Sequence, residues 1–148
     1  MTGSQGASIR DVLGWSRREP DVRASSKGNG SILIADDEPT NIRLVTRLMS
    51  AQGYRILTAA NGEEALAVVG RERPDLILLD VNMPKLDGFE VCRHLKSEPE
   101  TAGIKVVMLT ARGADVDRAK GREAGADDYF IKPFSPVQLL NKVYALLG

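Results

Sequence analysis

From Ser31 onward, short apolar runs alternate with longer stretches in which apolar residues recur every three or four positions. Ile32–Ala35, Leu76–Leu79 and Ile104–Leu109 are apolar without period, the pattern of strands covered on both faces. Tyr54–Thr58 and Tyr129–Ile131 complete five predicted strands. Between the first two, Pro39 suits a helical first turn, Ile42, Val45, Leu48 and Met49 follow at helical spacing, and Gly53 stops the helix. Asn61 with Glu64 three residues on predicts a capped second helix, with Leu66 and Val69 facing inward and Pro74 marking its exit. Asp87-Gly88 opens a third, with Phe89, Cys92 and Leu95 on its inner face and its end before Pro99. Ala114–Ala124 is a fourth, short of large apolar residues and interrupted by Gly121. Ser135 caps a fifth with Pro136 at its first position, and Val137, Leu140, Tyr144 and Leu147 line one face. Five strands alternating with five helices predict an α/β fold, a parallel sheet covered on both faces by right-handed crossovers.

Residues 1–30 break this pattern. They are rich in Gly, Ser and charge, with five Lys/Arg against three Asp/Glu, and cannot bury enough apolar surface to offset their backbone entropy. A flexible N-terminal segment over 1–30 and one domain over 31–148 is the expected division. Ile9, Val12, Leu13 and Trp15 stand out in that segment as one face of a short helix, too short to persist alone. Over the whole chain of 148 residues, twenty Lys and Arg balance twenty Asp and Glu, which argues against direct nucleic-acid binding as the main activity. No apolar run is long enough for a membrane span, and no signal-peptide stretch begins the chain, so a cytoplasmic protein is expected. The single cysteine, Cys92, permits no internal disulfide and reads as packing. His94 stands alone on a charged helix face and reads as ordinary surface.

Polar residues fall at one recurring place. Asp36 and Asp37 follow the first strand, Asp80 the third, Thr110 the fourth and Lys132 the fifth. Open parallel sheets bind ligands at the carboxyl ends of their strands, beside the point where strand order reverses. With strand order 2-1-3-4-5, that reversal lies between strands 1 and 3, the two that end in acids. Converging carboxylates repel one another unless a cation intervenes, and an all-oxygen donor set suits Mg²⁺, with Mn²⁺ as the alternative ion. Lys132 adds a fixed positive charge and Thr110 a hydroxyl, so phosphoryl transfer to a carboxylate nucleophile fits the set.

The segments ILIADDEP, DLILLDVNMPKLDGFEVCRHLK, VVMLTARG and GADDYFIKPF closely resemble the receiver domain of two-component response regulators. The resemblance spans about 31–148. It implies a flavodoxin-like fold, order 2-1-3-4-5, and phosphotransfer from a histidine kinase or histidine phosphotransfer protein. It further implies Asp80 as phosphoacceptor, Asp37 as a direct Mg²⁺ ligand, Asp36 holding the metal through water, and the main-chain carbonyl of Asn82 completing the protein ligands. Thr110 then follows the phosphoryl group, and Tyr129 is the aromatic switch. The Lys132–Pro133 bond is cis in the family. Asn82 and Arg112 occupy the two positions that overhang the phosphoryl group and tune its lifetime. The implied protein is no ordinary enzyme, but a phosphoacceptor that assists its own phosphorylation and dephosphorylation.

Two other function classes fit the sequence less well. A haloacid-dehalogenase-like hydrolase resembles D-x-D, but the position two beyond Asp80 is Asn82, which cannot act as a general acid. A nucleotide-binding module wants a glycine-rich loop after the first strand, where this chain has Ala35-Asp36-Asp37-Glu38. The chain ends at Gly148, directly after the fifth helix. Output is therefore expected through a downstream protein target or a second receiver, bound on the surface of helix four, strand five and helix five. A stand-alone receiver and one excised from a longer protein read alike.

Overall fold

A computed structural model of the chain describes residues 30–110 and 115–147. The expected N-terminal segment, apart from Gly30, lies outside the described residues, as does Arg112. The described residues form β1 (Ser31–Ala35), α1 (Pro39–Ser50), β2 (Arg55–Ala59), α2 (Gly62–Glu72) and β3 (Leu76–Asp80). Then come α3 (Gly88–Ser97), β4 (Lys105–Thr110), α4 (Asp115–Ala124), β5 (Asp128–Ile131) and α5 (Pro136–Leu147). The sheet is parallel throughout, in the order β2-β1-β3-β4-β5.

The aperiodic apolar runs have a simple cause: alternate side chains enter different cores. Leu33, Ala35, Ile77 and Leu79 pack against α2, α3 and α4, whereas Ile32, Ile34, Leu76 and Leu78 pack against α1 and α5. With both faces covered, neither set can be polar. β1 and β3 are buried at every position.

Local signals start the helices where the sequence predicts. Pro39 occupies the first turn of α1, and Gly53 follows its end with φ +91°. Asn61 Oδ1 accepts the Glu64 amide at 2.8 Å; the Glu64 carboxylate reaches Ala60 N–H rather than the Asn61 amide. Asp87 and Glu90 form a reciprocal capping box at α3, and Ser135 Oγ accepts the Gln138 amide at 3.3 Å.

The inward faces of α2 and α3 agree with the expectation: Leu66, Val69, Phe89, Cys92 and Leu95 are all buried. On α5 the fully buried residues are Leu139 and Val143; of the expected face, Leu140 and Leu147 are half-buried against the same core, and Val137 is 63% exposed. α5 is apolar on more than one side, so periodicity alone does not select its inner face. β2 also starts one residue late, because the Tyr54 amide bonds back to the Met49 carbonyl at the end of α1.

Candidate functional site

Strand register assembles the polar edge. Ala35 of β1 lies opposite Leu79 of β3, so Asp36, one residue on, comes level with Asp80. Asp80 pairs with Leu109 of β4, one residue before Thr110, and Thr110 pairs with Ile131 of β5, one residue before Lys132. The Lys132 amide then donates to the Thr110 carbonyl at 2.6 Å, and the Lys132–Pro133 bond is cis. Five buried polar side chains are found among the described residues, and three of them, Asp36, Asp80 and Thr110, lie on this edge. Buried polar groups are costly without partners, so their concentration here marks a built site.

Ligand oxygens of Asp36, Asp37 and Asp80 lie within 4.8 Å of one another, the first and last buried and Asp37 exposed. Lys132 Nζ sits 3.2 Å from Asp36 Oδ2 and 3.3 Å from Asp80 Oδ2, bridging the two buried carboxylates. Backbone and neighbouring amides fix the acids further. Asp36 Oδ1 accepts the Glu38 amide at 2.9 Å, and its Oδ2 faces Asn41 Nδ2 at 3.4 Å. Asp80 Oδ1 accepts the Asn82 amide at 3.1 Å. Asn41 is a site neighbour that sequence reading missed; a lone Asn in a first helical turn gives no signal of reaching five residues back.

The charges perturb each other in a consistent way. Burial pushes the Asp80 carboxyl up from its ordinary 3.8 to about 6, with Asp36 adding to the rise and Lys132 and the Asn82 amide opposing it. Burial would lower the Lys132 ammonium, but the facing carboxylates of Asp80 and Asp36 outweigh it and hold its pKa above the ordinary value. The donors near Asp80 are all carboxylate oxygens, two of them buried, which fits a hard cation such as Mg²⁺ and not a thiolate- or imidazole-seeking metal.

Tyr129 lies outside this cluster, packed on the α2–α3–α4 side of the sheet. The Arg118 guanidinium stands 4.4 Å above its ring, and its hydroxyl is buried with no hydrogen-bond partner among the described residues. An open groove beside it is lined by Arg118, Gly121, Arg122, Asp128 and Tyr129 itself, among others.

Comparison with known proteins decides the family. The family model for the response regulator receiver domain matches residues 32–144. The chain belongs to that family. As a receiver domain it is a signalling module of two-component systems rather than an enzyme in the usual sense, and receivers partner with histidine kinases and phosphotransfer proteins. Its relatives include the alkaline phosphatase synthesis transcriptional regulatory protein PhoP of Bacillus subtilis, 44% identical over 80% of this chain and 49% of that protein. The receiver spans about half the length of the first curated relatives it matches. The receiver domain of a signal transduction histidine kinase from Syntrophus aciditrophicus is 39% identical, with TM-score 0.75 over 80% of this chain and 89% of that one. That of the sensor histidine kinase PA1611 of Pseudomonas aeruginosa is 30% identical, with TM-score 0.75 over 80% and 98%. The latter holds a magnesium ion in its active-site cleft. The flavodoxin-like architecture is thus shared with solved receivers. No helix among the described residues is long and apolar enough to cross a membrane.

Proposed function

We propose that this receiver, acting as a unit over residues 31–148, takes a phosphoryl group onto Asp80 from the phosphohistidine of a histidine kinase or histidine phosphotransfer protein. The observation that carries the reading is the bridge from Lys132 Nζ to both buried carboxylates, 3.2 Å from Asp36 and 3.3 Å from Asp80. An Oδ of Asp80 forms the new P–O bond as the P–N bond to the donor imidazole breaks, and the imidazole leaves with its electron pair. Raised to about 6, Asp80 is still mostly carboxylate near pH 7.5 and therefore nucleophilic. Lys132 offers a fixed ammonium to a phosphoryl oxygen once one arrives, and Thr110 offers a hydroxyl.

Asp36, Asp37, Asp80 and the main-chain carbonyl of Asn82 would hold Mg²⁺, with Asp36 acting through water. When bound, the ion neutralises charge on the transferring group. Mn²⁺ is the alternative ion. Asn82 and Arg112 would overhang the phosphoryl group and set its lifetime. Such a partner system puts the chemistry in the cytoplasm.

Output follows from packing. Thr110, drawn toward a new phosphoryl oxygen, vacates space beside β4, and Tyr129 turns into it, relieving its unpartnered hydroxyl. The surface so altered is α4-β5-α5, where a downstream protein or second receiver would bind, the groove beside Tyr129 included.

Labelling with acetyl phosphate tests the acceptor: wild type should label only with Mg²⁺, and Asp80→Asn should not label at all. Full labelling of Asp80→Asn refutes the assignment. Asp37→Ala should weaken Mg²⁺ binding much more than Asp36→Ala. For the switch, beryllofluoride should shift amide NMR signals across residues 112–135 in wild type and much less in Thr110→Ala; equal shifts would remove Thr110 from the coupling.

A further inference from the structure

The acidic site has two walls, built on different strands. Asp36 and Asp37 follow β1, whereas Asp80 ends β3 and Asn82 belongs to the loop between β3 and α3. The spacing of those walls bears on which cation fits. Mg²⁺ demands near-ideal octahedral geometry at about 2.0–2.1 Å, whereas Ca²⁺ accepts roughly six to eight oxygens at about 2.3–2.6 Å in looser arrangements.

The loop wall is held by backbone contacts. The Gly88 amide donates to the Val81 carbonyl at 3.0 Å and closes the loop. A Cβ on Gly88 would come within 2.6 Å of the Asp80 carbonyl oxygen and 2.9 Å of Val81 Cα, so the two feet of the loop stand in direct backbone contact. Lys85 holds φ +73°, a left-handed conformation uncommon for a residue with a side chain, so the surrounding structure imposes the path of the loop. Its outer brace is α2. A Cβ on Gly62, the first residue of α2, would overlap the Leu86 carbonyl oxygen and lie 2.6 Å from Leu86 Cβ. Backbone stands against backbone there, with no flexible side chain between to absorb a shift. α2 is tied in turn to the other wall. Asn61 Oδ1 accepts the Glu64 amide at 2.8 Å and the Glu64 carboxylate accepts the Ala60 amide at 2.6 Å, which fixes the start of α2 to the end of β2. At that end the Ala59 carbonyl accepts the Asp36 amide at 3.0 Å. A path of short contacts therefore runs from Asp36 through β2 and Gly62 to Leu86, four residues past Asn82.

We propose that the Gly62–Leu86 contact is the spacer that sets the width of the cation site, and with it the preference for Mg²⁺ over larger divalent ions. Gly62 touches no ligand and is a positioning residue: with no Cβ, it lets α2 stand as close to the loop as the backbones allow. A side chain at position 62 would push Leu86, and the Asn82 carbonyl with it, away from Asp36 and Asp37. A wider site penalises the small, geometrically strict ion and is tolerated by the large, adaptable one. The inference rests on the metal reading given above.

Titrations of the full chain with Mg²⁺ and with Ca²⁺, followed by amide NMR, give both dissociation constants, and urea midpoints in EDTA give the stability. Gly62→Ala is expected to weaken Mg²⁺ binding about tenfold or more while Ca²⁺ binding changes little. Val143→Ala, a core deletion on the opposite face of the sheet, also lowers the urea midpoint but should leave the ratio of the two constants at its wild-type value. If Gly62→Ala does not fold, Leu86→Gly, which slackens the same contact from the loop side, should lower the preference for Mg²⁺ and decides by the same ratio. An unchanged ratio in the folded position-62 or position-86 variant overturns the proposal. So does a ratio that moves as far in Val143→Ala, which assigns the effect to lost stability. Wild type that binds neither ion refutes the metal reading itself, and this proposal with it.

Discussion

Replacing Asp80 by Asn should make the metal-free protein more stable above neutral pH and less stable in acid. The carboxyl is only 3% exposed, and burial lifts its pKa from 3.8 to about 6 despite the ammonium of Lys132 3.3 Å away. Because the folded-state pKa lies above the unfolded one, the folded protein binds this proton more tightly. The stabilisation is fully present below about pH 3.8 and is lost as pH rises through about 6. At 1.36 kcal/mol per pKa unit, ionising Asp80 in the folded state costs about 3 kcal/mol. Asn escapes that cost and keeps an oxygen for the Asn82 amide, but turns its amide nitrogen toward Lys132 and forfeits an acceptor, a loss of about 1 kcal/mol. The variant should therefore be less stable than wild type by about 1 kcal/mol near pH 4 and more stable by about 2 kcal/mol near pH 8. Urea unfolding in EDTA, repeated across that range, measures the difference. A constant offset between the two proteins, or one that moves the other way with pH, refutes the reasoning.

Three other substitutions probe the same scaffold. Lys132→Ala leaves Asp36 and Asp80 facing each other without their shared cation and should cost about 3 kcal/mol in EDTA, with much of it restored by Mg²⁺ in parallel urea titrations. The contribution of Lys132 is also fully present below its unfolded pKa and lost at higher pH, since its folded pKa is raised, so wild type and variant should converge in strong alkali. Gly121→Ala should stabilise by up to about 1 kcal/mol, because the added Cβ meets Met108 Cγ at 3.8 Å and Phe89 Cε1 at 3.9 Å, ordinary contacts, and a helix-interior glycine is removed. A lower urea midpoint would contradict it. Gly62→Ala drives a Cβ into the Leu86 carbonyl and should cost about 2 kcal/mol or more, with amide shifts concentrated at residues 82–88.

The elements best read from sequence are those whose environment is symmetrical or whose signal is local. Strands buried on both faces announce themselves as unbroken apolar runs, and Asn61, Asp87 and Ser135 cap helices through bonds three residues long. The acids at the strand ends were legible for a related reason: register in a parallel sheet converts position along the chain into position along an edge. What escaped depends on distance in space. Which residues of α5 reach the core is decided by its packing on the sheet and beside Tyr54, and Asn41 joins the site only through its contact with Asp36 at the start of α1. Lys96 was equally silent, because a lysine in a last helical turn ordinarily points to water.

That lysine has a mechanical consequence. Its ammonium bonds the carbonyls of Ala102 at 3.1 Å and Ile104 at 2.8 Å and pairs with Asp127 at 3.1 Å, tying the end of α3, the entry to β4 and the entry to β5 into one block. Its aliphatic stem also lies so close to Gly125, just past the end of α4, that a Cβ there would meet it at 2.9 Å. α4 is thus clamped at its C-terminal end, at the edge of the sheet remote from Asp80. A helix of this length is an arm of about 15 Å, and a rotation of about 10° about the clamp sweeps its far end through roughly 2.5 Å. A displacement of α4 imposed from the acidic edge would then take the form of a lever's swing about a fixed fulcrum, largest beside the site and vanishing at Gly125.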